Sequence, residues 1–137
     1  MYSQLKKIFE IQNKRERIWL QYKNLISKLK SNKFYLIEPK KNTTSTYHIL
    51  GLIFNTQRLA DNFKVWMQNN GVAATFHYVP LHNSLMGKKF NSKRLVITEN
   101  IYKKVVRLPL YPDMTNNEIA KILKTIKNFF NEKKKNS

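Results

Sequence analysis

The sequence predicts a two-layer α/β (α+β) sandwich built as a single domain over residues 1–137, and three observations carry that reading. Helix-period and strand-length apolar segments follow one another in the order helix, strand, helix, strand, long loop, helix, strand, helix. The chain has 137 residues, the size of one domain. Its 42% hydrophobic and 12% aromatic content fills a core and exceeds what disordered chains carry.

Residues 3–30 read as one long amphipathic helix. Leu5, Ile8, Ile11, Ile18, Trp19 and Tyr22 recur mainly at spacings of three, four and seven, and Leu25, Ile26 and Leu29 continue the stripe. The charged run Gln12–Arg17 interrupts it, and Ser31-Asn32 ends it. Glu38-Pro39 pushes the chain into an extended form, and residues 40–46 are a polar connector. Tyr47–Phe54 has the apolar density of a buried strand. Asn55-Thr56 can cap a helix over 57–69, whose face carries Leu59, Phe63, Trp66 and Met67, and Asn70-Gly71 stops it. Val72–Val79 reads as a second strand that Pro80 ends. Residues 80–97 form a long loop with a basic cluster, and loops of that length in compact domains tend to be functional. Thr98 opens a short helix. The two prolines of Arg107–Pro112 place that extended piece at a sheet edge. Thr115-Asn-Asn-Glu118 is a capping box for a last helix with Ile119, Ile122, Leu123, Ile126, Phe129 and Phe130 on one stripe. The sandwich thus covers 34–130, and 131–137 is expected to fray as a disordered basic tail.

Composition removes several function classes. There is no cysteine, so disulfides, thiolate nucleophiles and cysteine-based zinc or iron–sulfur sites are excluded. No apolar run approaches the about 20 residues a membrane helix needs, and the N-terminus lacks the apolar core of a secretory signal, so a cytoplasmic protein is expected. The three glycines form neither a dinucleotide fingerprint nor a phosphate loop. The net charge of +18 admits nucleic acid as a partner. Yet Lys dominates the cations and is spread along the chain with abundant Asn and Ile, the pattern an AT-rich genome writes. A small basic nucleic-acid-binding module remains the alternative. Against it, the aromatics fall on core stripes rather than between cations.

The candidate chemistry is sparse. His77 and His82 bracket a strand end five residues apart, and a two-His metal site there lacks an evident third ligand. His48 reads as a core histidine bonded to a neighbour. Strand alternation turns His77 and Phe76 to opposite faces. Tyr78 and His82 stand at the head of the long loop, where polar aromatic tips suit a ligand rim.

The string Phe76-His-Tyr-Val-Pro-Leu-His82, followed after about 25 residues by Arg107-Leu-Pro-Leu-Tyr-Pro-Asp-Met-Thr115, resembles the C-terminal part of the DegT/DnrJ/StrS sugar-nucleotide aminotransferases. Asn13–Trp19 with Tyr22, Tyr47-His48-Ile49, Gly71-Val-Ala73 and Pro80–Phe90 agree with that family in order and spacing, so the resemblance runs from about residue 4 to 130. It departs from the family pattern at Asn83-Ser84-Leu85-Met86. The resemblance implies the small C-terminal domain of the aspartate-aminotransferase fold, with the large pyridoxal-phosphate domain outside this chain. None of the lysines sits in the family's Ser-Phe-His-x-x-Lys setting, so the chain is expected not to bind the cofactor alone and to be inactive alone. The implied reaction moves an amino group from glutamate to a dTDP-linked 4-keto-6-deoxy sugar in cell-surface polysaccharide synthesis. The implied partners are a large domain or its separate chain, the sugar nucleotide, and a second copy in a homodimer. By the same resemblance His77, Tyr78 and His82 contact substrate, and Lys88 and Lys89 could attract its diphosphate. It also implies that Trp19, Tyr22 and Phe9 are under-buried in this chain, because they would pack on the large domain.

Overall fold

The computed structural model describes residues 5–90 and 93–135, with side chains described to Glu132. Helix α1 spans Ile8–Leu29 and is followed by strands β1, Phe34–Leu36, and β2, Leu50–Phe54. Helix α2, Gln57–Asn69, leads to strand β3, Thr75–Phe76, and a 3-10 turn, Leu81–Asn83. Short helices α3, Leu85–Phe90, and α4, Val96–Tyr102, precede strand β4, Val105–Leu108, and helix α5, Asn116–Lys135. The strands make one antiparallel sheet in the order β1-β2-β4-β3.

Alternation along the strands splits the sheet into two unlike faces. Phe34, Leu36, Leu50, Leu52, Phe54, Val106 and Leu108 are buried on one face, where α1, α2 and α5 pack. Aromatic rings fill that layer: Phe34 stacks on Phe130 at 4.4 Å, and Phe63 lies 5.0 Å from Phe54 and 5.1 Å from Phe129. Side-chain hydrogen bonds lock the helices to one another and to the sheet. The Tyr22 hydroxyl donates to the Pro109 carbonyl at 2.9 Å, and the Trp66 indole N–H donates to the Thr125 carbonyl at 3.1 Å. Burial pushes the Tyr22 phenol well above its ordinary pKa, since the phenolate would lose its water.

The starts of α2 and α5 follow the sequence closely, whereas α1 spans Ile8–Leu29 rather than 3–30 and has no side-chain cap. Thr56 Oγ1 accepts from the Leu59 N–H at 3.2 Å. The capping box closes in both directions: the Glu118 N–H donates to Thr115 Oγ1 at 3.2 Å, and the Thr115 N–H donates to Glu118 Oε2 at 2.8 Å. The Thr115 N–H, the Thr115 hydroxyl and the Tyr111 hydroxyl all donate to the Glu118 carboxyl and hold it below its ordinary pKa.

Elsewhere the structure corrects the sequence reading. Strand β1 is an addition: Phe34–Leu36 pairs with β2, between the helix stop at Ser31-Asn32 and the extended form expected at Glu38-Pro39. Strand β2 begins at Leu50, because Tyr47 sits at φ 47, outside the extended region. The second expected strand shrinks to two paired residues. Its partner β4 is bounded by Pro109, which has no N–H to give, and by a turn in which the Lys104 N–H donates to the Ile101 carbonyl. Strand β4 is itself interior rather than an edge, because both prolines fall past its last paired residue. Within the expected loop, Ser84 Oγ accepts from the Gly87 N–H and starts α3. A Cβ on Gly87 would stand 1.8 Å from the Leu81 carbonyl oxygen, so only glycine lets α3 fold back on the 3-10 turn. Helix α4 starts at Val96 rather than Thr98. Helix α5 continues to Lys135, through the stretch expected to fray, and residues 136 and 137 lie outside the described residues. Trp19 and Tyr22 are buried within this chain, against expectation: α1 packs on β1 and α5, the Trp19 ring meets Tyr47, and the Tyr22 hydroxyl reaches the Pro109 carbonyl, whereas Phe9 is 78% exposed as expected.

Candidate functional site

The second sheet face has no helical layer as complete as the first. Register sets Gly51 opposite Arg107 and Arg107 opposite Thr75, with Ile53 opposite Val105 in the next row. A cleft of about 360 Å³ opens over these rows. Gly51, Ile53 and Val105 line it from the sheet, Trp19 and Tyr47 from α1 and the connector, and Ile101 from α4. Its polar lining includes Arg107, His77, His48 and Glu38. Trp19 and Tyr47 meet at 5.4 Å with tilted rings, which holds Tyr47 in its left-handed backbone conformation.

The three expected ligand contacts separate into two groups. His77 is half-buried on the cleft, and its Nδ1 is enclosed with no hydrogen-bond partner. Tyr78 is 72% exposed and lies beside it, with ring centres 5.1 Å apart. The Arg107 guanidinium approaches the Tyr78 ring at 5.7 Å, a cation–π distance. His82 lies elsewhere. Its Nε2 is 3.4 Å from Glu99 Oε1 on α4, and its side chain is only 7% exposed. Arg94 donates to the other oxygen of Glu99 at 3.0 Å, and this bond is the largest cause of a lowered Glu99 pKa, with His82 adding to it. His82 thus clasps the 3-10 turn to α4, where a loop-rim imidazole is expected from the sequence. The sequence could not show this, because Glu99 is 17 residues away. Lys88 and Lys89 are exposed in the last turn of α3. His48 is exposed rather than in the core. The turn at Tyr47 carries it out of the strand, and its Nδ1 lies 2.7 Å from Thr46 Oγ1. Arg107 and the Trp19–Tyr47 wall are missed by sequence reasoning, although alternation with Val106 and Leu108 already puts Arg107 on the open face.

The clasp carries its own prediction. His82→Ala should lower stability by about 0.5–3 kcal/mol, the range for losing a packed, bonded side chain. Acid should act on the same element. A carboxylate with a depressed pKa contributes stability above its unfolded value, the ordinary 4.5 for Glu99, and loses it as pH falls through the folded value. Amide exchange in α4 should therefore rise below pH 4.5 more than in α2. Equal rises in both helices would count against the clasp.

Pyridoxal phosphate, which the resemblance implies, requires a lysine for its imine and an acid for its ring nitrogen. The cleft is lined by no lysine, and its one acid, Glu38, is taken by Lys23 at 2.6 Å. The residues of this cleft do not fit the cofactor. In a wider groove of about 560 Å³ beside the first turns of α1, Lys14 pairs with Glu10 at 2.8 Å and with Asp113 at 3.5 Å, while Lys7 and Arg15 also line it and Arg15 Nε is enclosed without a hydrogen-bond partner. Among the described residues no group of three His, Asp or Glu side chains could hold a metal ion, and no helix is long and apolar enough to cross a membrane.

Comparison with known proteins agrees with this geometry. DesV of S. venezuelae, solved in complex with a ketimine intermediate, superposes with a TM-score of 0.82 at 15% identity over 94% of this chain and 34% of its own. The aminotransferase TlmJ from Streptoalloteichus hindustanus gives 0.81 at 20% identity, over 93% of this chain and 34% of its own. PseC of Helicobacter pylori, an aminotransferase involved in the biosynthesis of pseudoaminic acid, gives 0.78 at 22%, over 96% of this chain and 36% of its own. These likenesses establish the fold. In sequence, the chain is 28% identical to the uncharacterized protein MJ1066 of Methanocaldococcus jannaschii, over 94% of this chain and 34% of that protein. The chain therefore spans about a third of the length of the relatives it matches. The DegT/DnrJ/EryC1/StrS aminotransferase family matches residues 1–127. With that match over nearly the whole chain, and a fold shared with solved aminotransferases, the chain belongs to the DegT/DnrJ/EryC1/StrS aminotransferase family.

Proposed function

We propose that this chain is the small domain of a pyridoxal-phosphate-dependent sugar-nucleotide transaminase, acting with a large cofactor-binding domain on the same polypeptide or a separate one. The observation that carries this is the family match over residues 1–127, joined to coverage of only 34% of a relative's length. The large domain supplies the imine-forming lysine. This chain supplies substrate contacts. The substrate is a dTDP-linked 4-keto-6-deoxy sugar, the amino donor is glutamate, and the product serves cell-surface polysaccharide synthesis. The assembled enzyme is a homodimer in the cytoplasm. His77 and Tyr78 offer an imidazole and a phenol to the sugar nucleotide beside the open face. His82 supports the same loop from below through Glu99. The apolar side chains exposed at and just before the start of α1, Leu5 and Phe9 among them, are surface for the large domain to cover.

The nucleic-acid alternative finds little to stand on. Phe34, Phe54, Phe63, Phe129 and Phe130 are buried in the core, where no base can stack on them.

The test is kinetic and uses the assembled enzyme. His77→Gln and Tyr78→Phe should raise KM for the sugar nucleotide and leave KM for glutamate unchanged. One lost hydrogen bond to a charged group is worth about 1.5–3 kcal/mol, roughly ten- to a hundredfold in kcat/KM. Unchanged sugar-nucleotide kinetics in both variants would refute the assignment of these residues.

A further inference from the structure

We propose that Arg15 anchors a carboxylate of a partner chain, and that the groove between α1 and residues 112–115 seats an extended acidic segment of that partner. Resting on the function proposed above, the segment belongs to the large cofactor-binding domain.

The anchor stands out in the helix pattern. Ile8, Ile11, Arg15, Ile18 and Tyr22 follow one another at spacings of three and four, so they share one face of α1. Ile18 and Tyr22 are buried in the core. Arg15 therefore holds a position that the pattern gives to an apolar side chain, where the core ends and the groove begins. It is partly buried, and its Nε is enclosed with no hydrogen-bond partner. Among the described residues no carboxylate pairs with it. An enclosed donor in that state has lost its water without a replacement, and folded proteins leave few such donors. An acceptor from another chain supplies the replacement.

The groove selects the acceptor. A guanidinium fork fits a carboxylate through two parallel hydrogen bonds. Lys14 already engages both acids of the groove, Glu10 and Asp113, so neither is left for Arg15, and Lys7 adds a further positive charge beside Glu10. Leu5, Ile8, Ile11 and Pro112 form an apolar bed for side chains flanking the incoming carboxylate. A nucleic-acid backbone has no such side chains. The groove of about 560 Å³ runs into a second hollow of about 320 Å³ over Ile18 and Met114, and the two share Lys14, Pro112 and Asp113. That continuity suits an extended chain segment. A second copy of this chain would set a net charge of +18 against another of the same sign, whereas an acidic partner is attracted. The chain covers 34% of the length of MJ1066, and the rest of such a relative is large enough to be the domain that supplies the segment.

The first arm of the test needs no partner. Arg15→Met keeps the apolar stem and a similar helix propensity but removes the orphan donor. The urea midpoint of the isolated 137-residue chain should therefore hold or rise. A lowered midpoint would show that Arg15 is satisfied within this chain and would overturn the proposal. The second arm titrates the polypeptide encoded immediately upstream of Met1 into this chain by calorimetry. Arg15→Met should weaken the complex by about tenfold or more, as loss of a charge-assisted bond does. Arg15→Lys should recover only part of that, because an ammonium lacks the fork. Lys124→Met removes the same charge from an exposed position on α5 outside the groove, and should change the affinity far less. Carbodiimide should cross-link Lys7 or Lys14 to acidic residues of the added polypeptide. Equal weakening by Arg15→Met and Lys124→Met would mean diffuse charge attraction and overturns the proposal. So do cross-links confined to lysines outside the groove, a complex that Arg15→Met leaves unmoved, and the absence of any complex. The two readings fail separately. A complex that needs Arg15 but aminates no sugar nucleotide would sink the transaminase assignment alone. Amination by a complex indifferent to Arg15→Met would sink the groove alone.

Discussion

Phe63→Ala is expected to cost about 3–5 kcal/mol of folding stability, the usual price for deleting a buried phenylalanine ring. Phe63 is fully enclosed, and its ring meets Phe54, Phe129 and Phe130 at 5.0, 5.1 and 6.0 Å. It therefore joins the sheet to both α2 and α5, and its loss leaves a cavity that no neighbour can fill without moving a whole element. Small domains hold about 5–15 kcal/mol in total, so this single change removes a large share. Urea unfolding should show a lower midpoint with an unchanged slope. Phe63→Leu should cost markedly less, because it keeps most of the volume. A loss within about 0.5 kcal/mol for Phe63→Ala, typical of a surface position, would contradict the packing described.

Trp19→Ala should be of similar size, about 3–5 kcal/mol, and should also alter the cleft. Trp19 is 4% exposed, meets the tilted Tyr47 ring at 5.4 Å, and has the Lys23 ammonium 5.5 Å from its ring centre. Removing it takes away the surface that keeps Tyr47 at φ 47, a conformation a bulky L-residue adopts only when its surroundings impose it. The connector at residues 45–49 should then show faster amide exchange while the α2–α5 core stays protected. Leu20→Ala, one residue on and half exposed, is the control and should stay within about 0.5 kcal/mol. Equal losses at the two positions would mean that α1 does not dock on the sheet through its Trp19 face.

These two residues also mark how far the sequence could be read. Phe63 was legible: its spacing from Leu59, Trp66 and Met67 puts it on the inner stripe of a capped helix, and Thr56 makes the cap bond. The Thr115–Glu118 box was equally legible, because both partners lie within one turn. Helix identity is a local property, and local signals carried it. Strand pairing is not local. Phe34–Leu36 acquires its partner 18 or so residues on, and nothing within the segment announces that partner. Strand β4 looked like an edge because its prolines are adjacent in sequence, yet they fall just beyond the ladder. Trp19 meets Tyr47, 28 residues on, a contact that its own helix stripe does not announce. Among the candidate site residues, alternation sets His77 opposite Phe76 without saying which face is open, and the structure puts His77 on the cleft. His82 and His48 were misplaced by their settings, one by a bond to a helix 17 residues away and one by a backbone turn at Tyr47. Arg107 lies in a proline-bearing segment, Arg107–Pro112, whose own residues do not show that its side chain faces a cleft lined by Trp19 and Tyr47.

The most direct test of the central claim is a reconstitution assay. The polypeptide encoded by the reading frame immediately upstream of Met1 is co-expressed with this chain, and the purified material is given pyridoxal phosphate, glutamate and dTDP-4-keto-6-deoxyglucose. The expected result is a complex that forms the dTDP-linked amino sugar, while the 137-residue chain alone forms none and yields no borohydride-trapped lysine adduct confined to one position. Amination by this chain alone would contradict the account, as would an upstream polypeptide that carries the lysine-bearing domain, binds this chain and still forms no amino sugar.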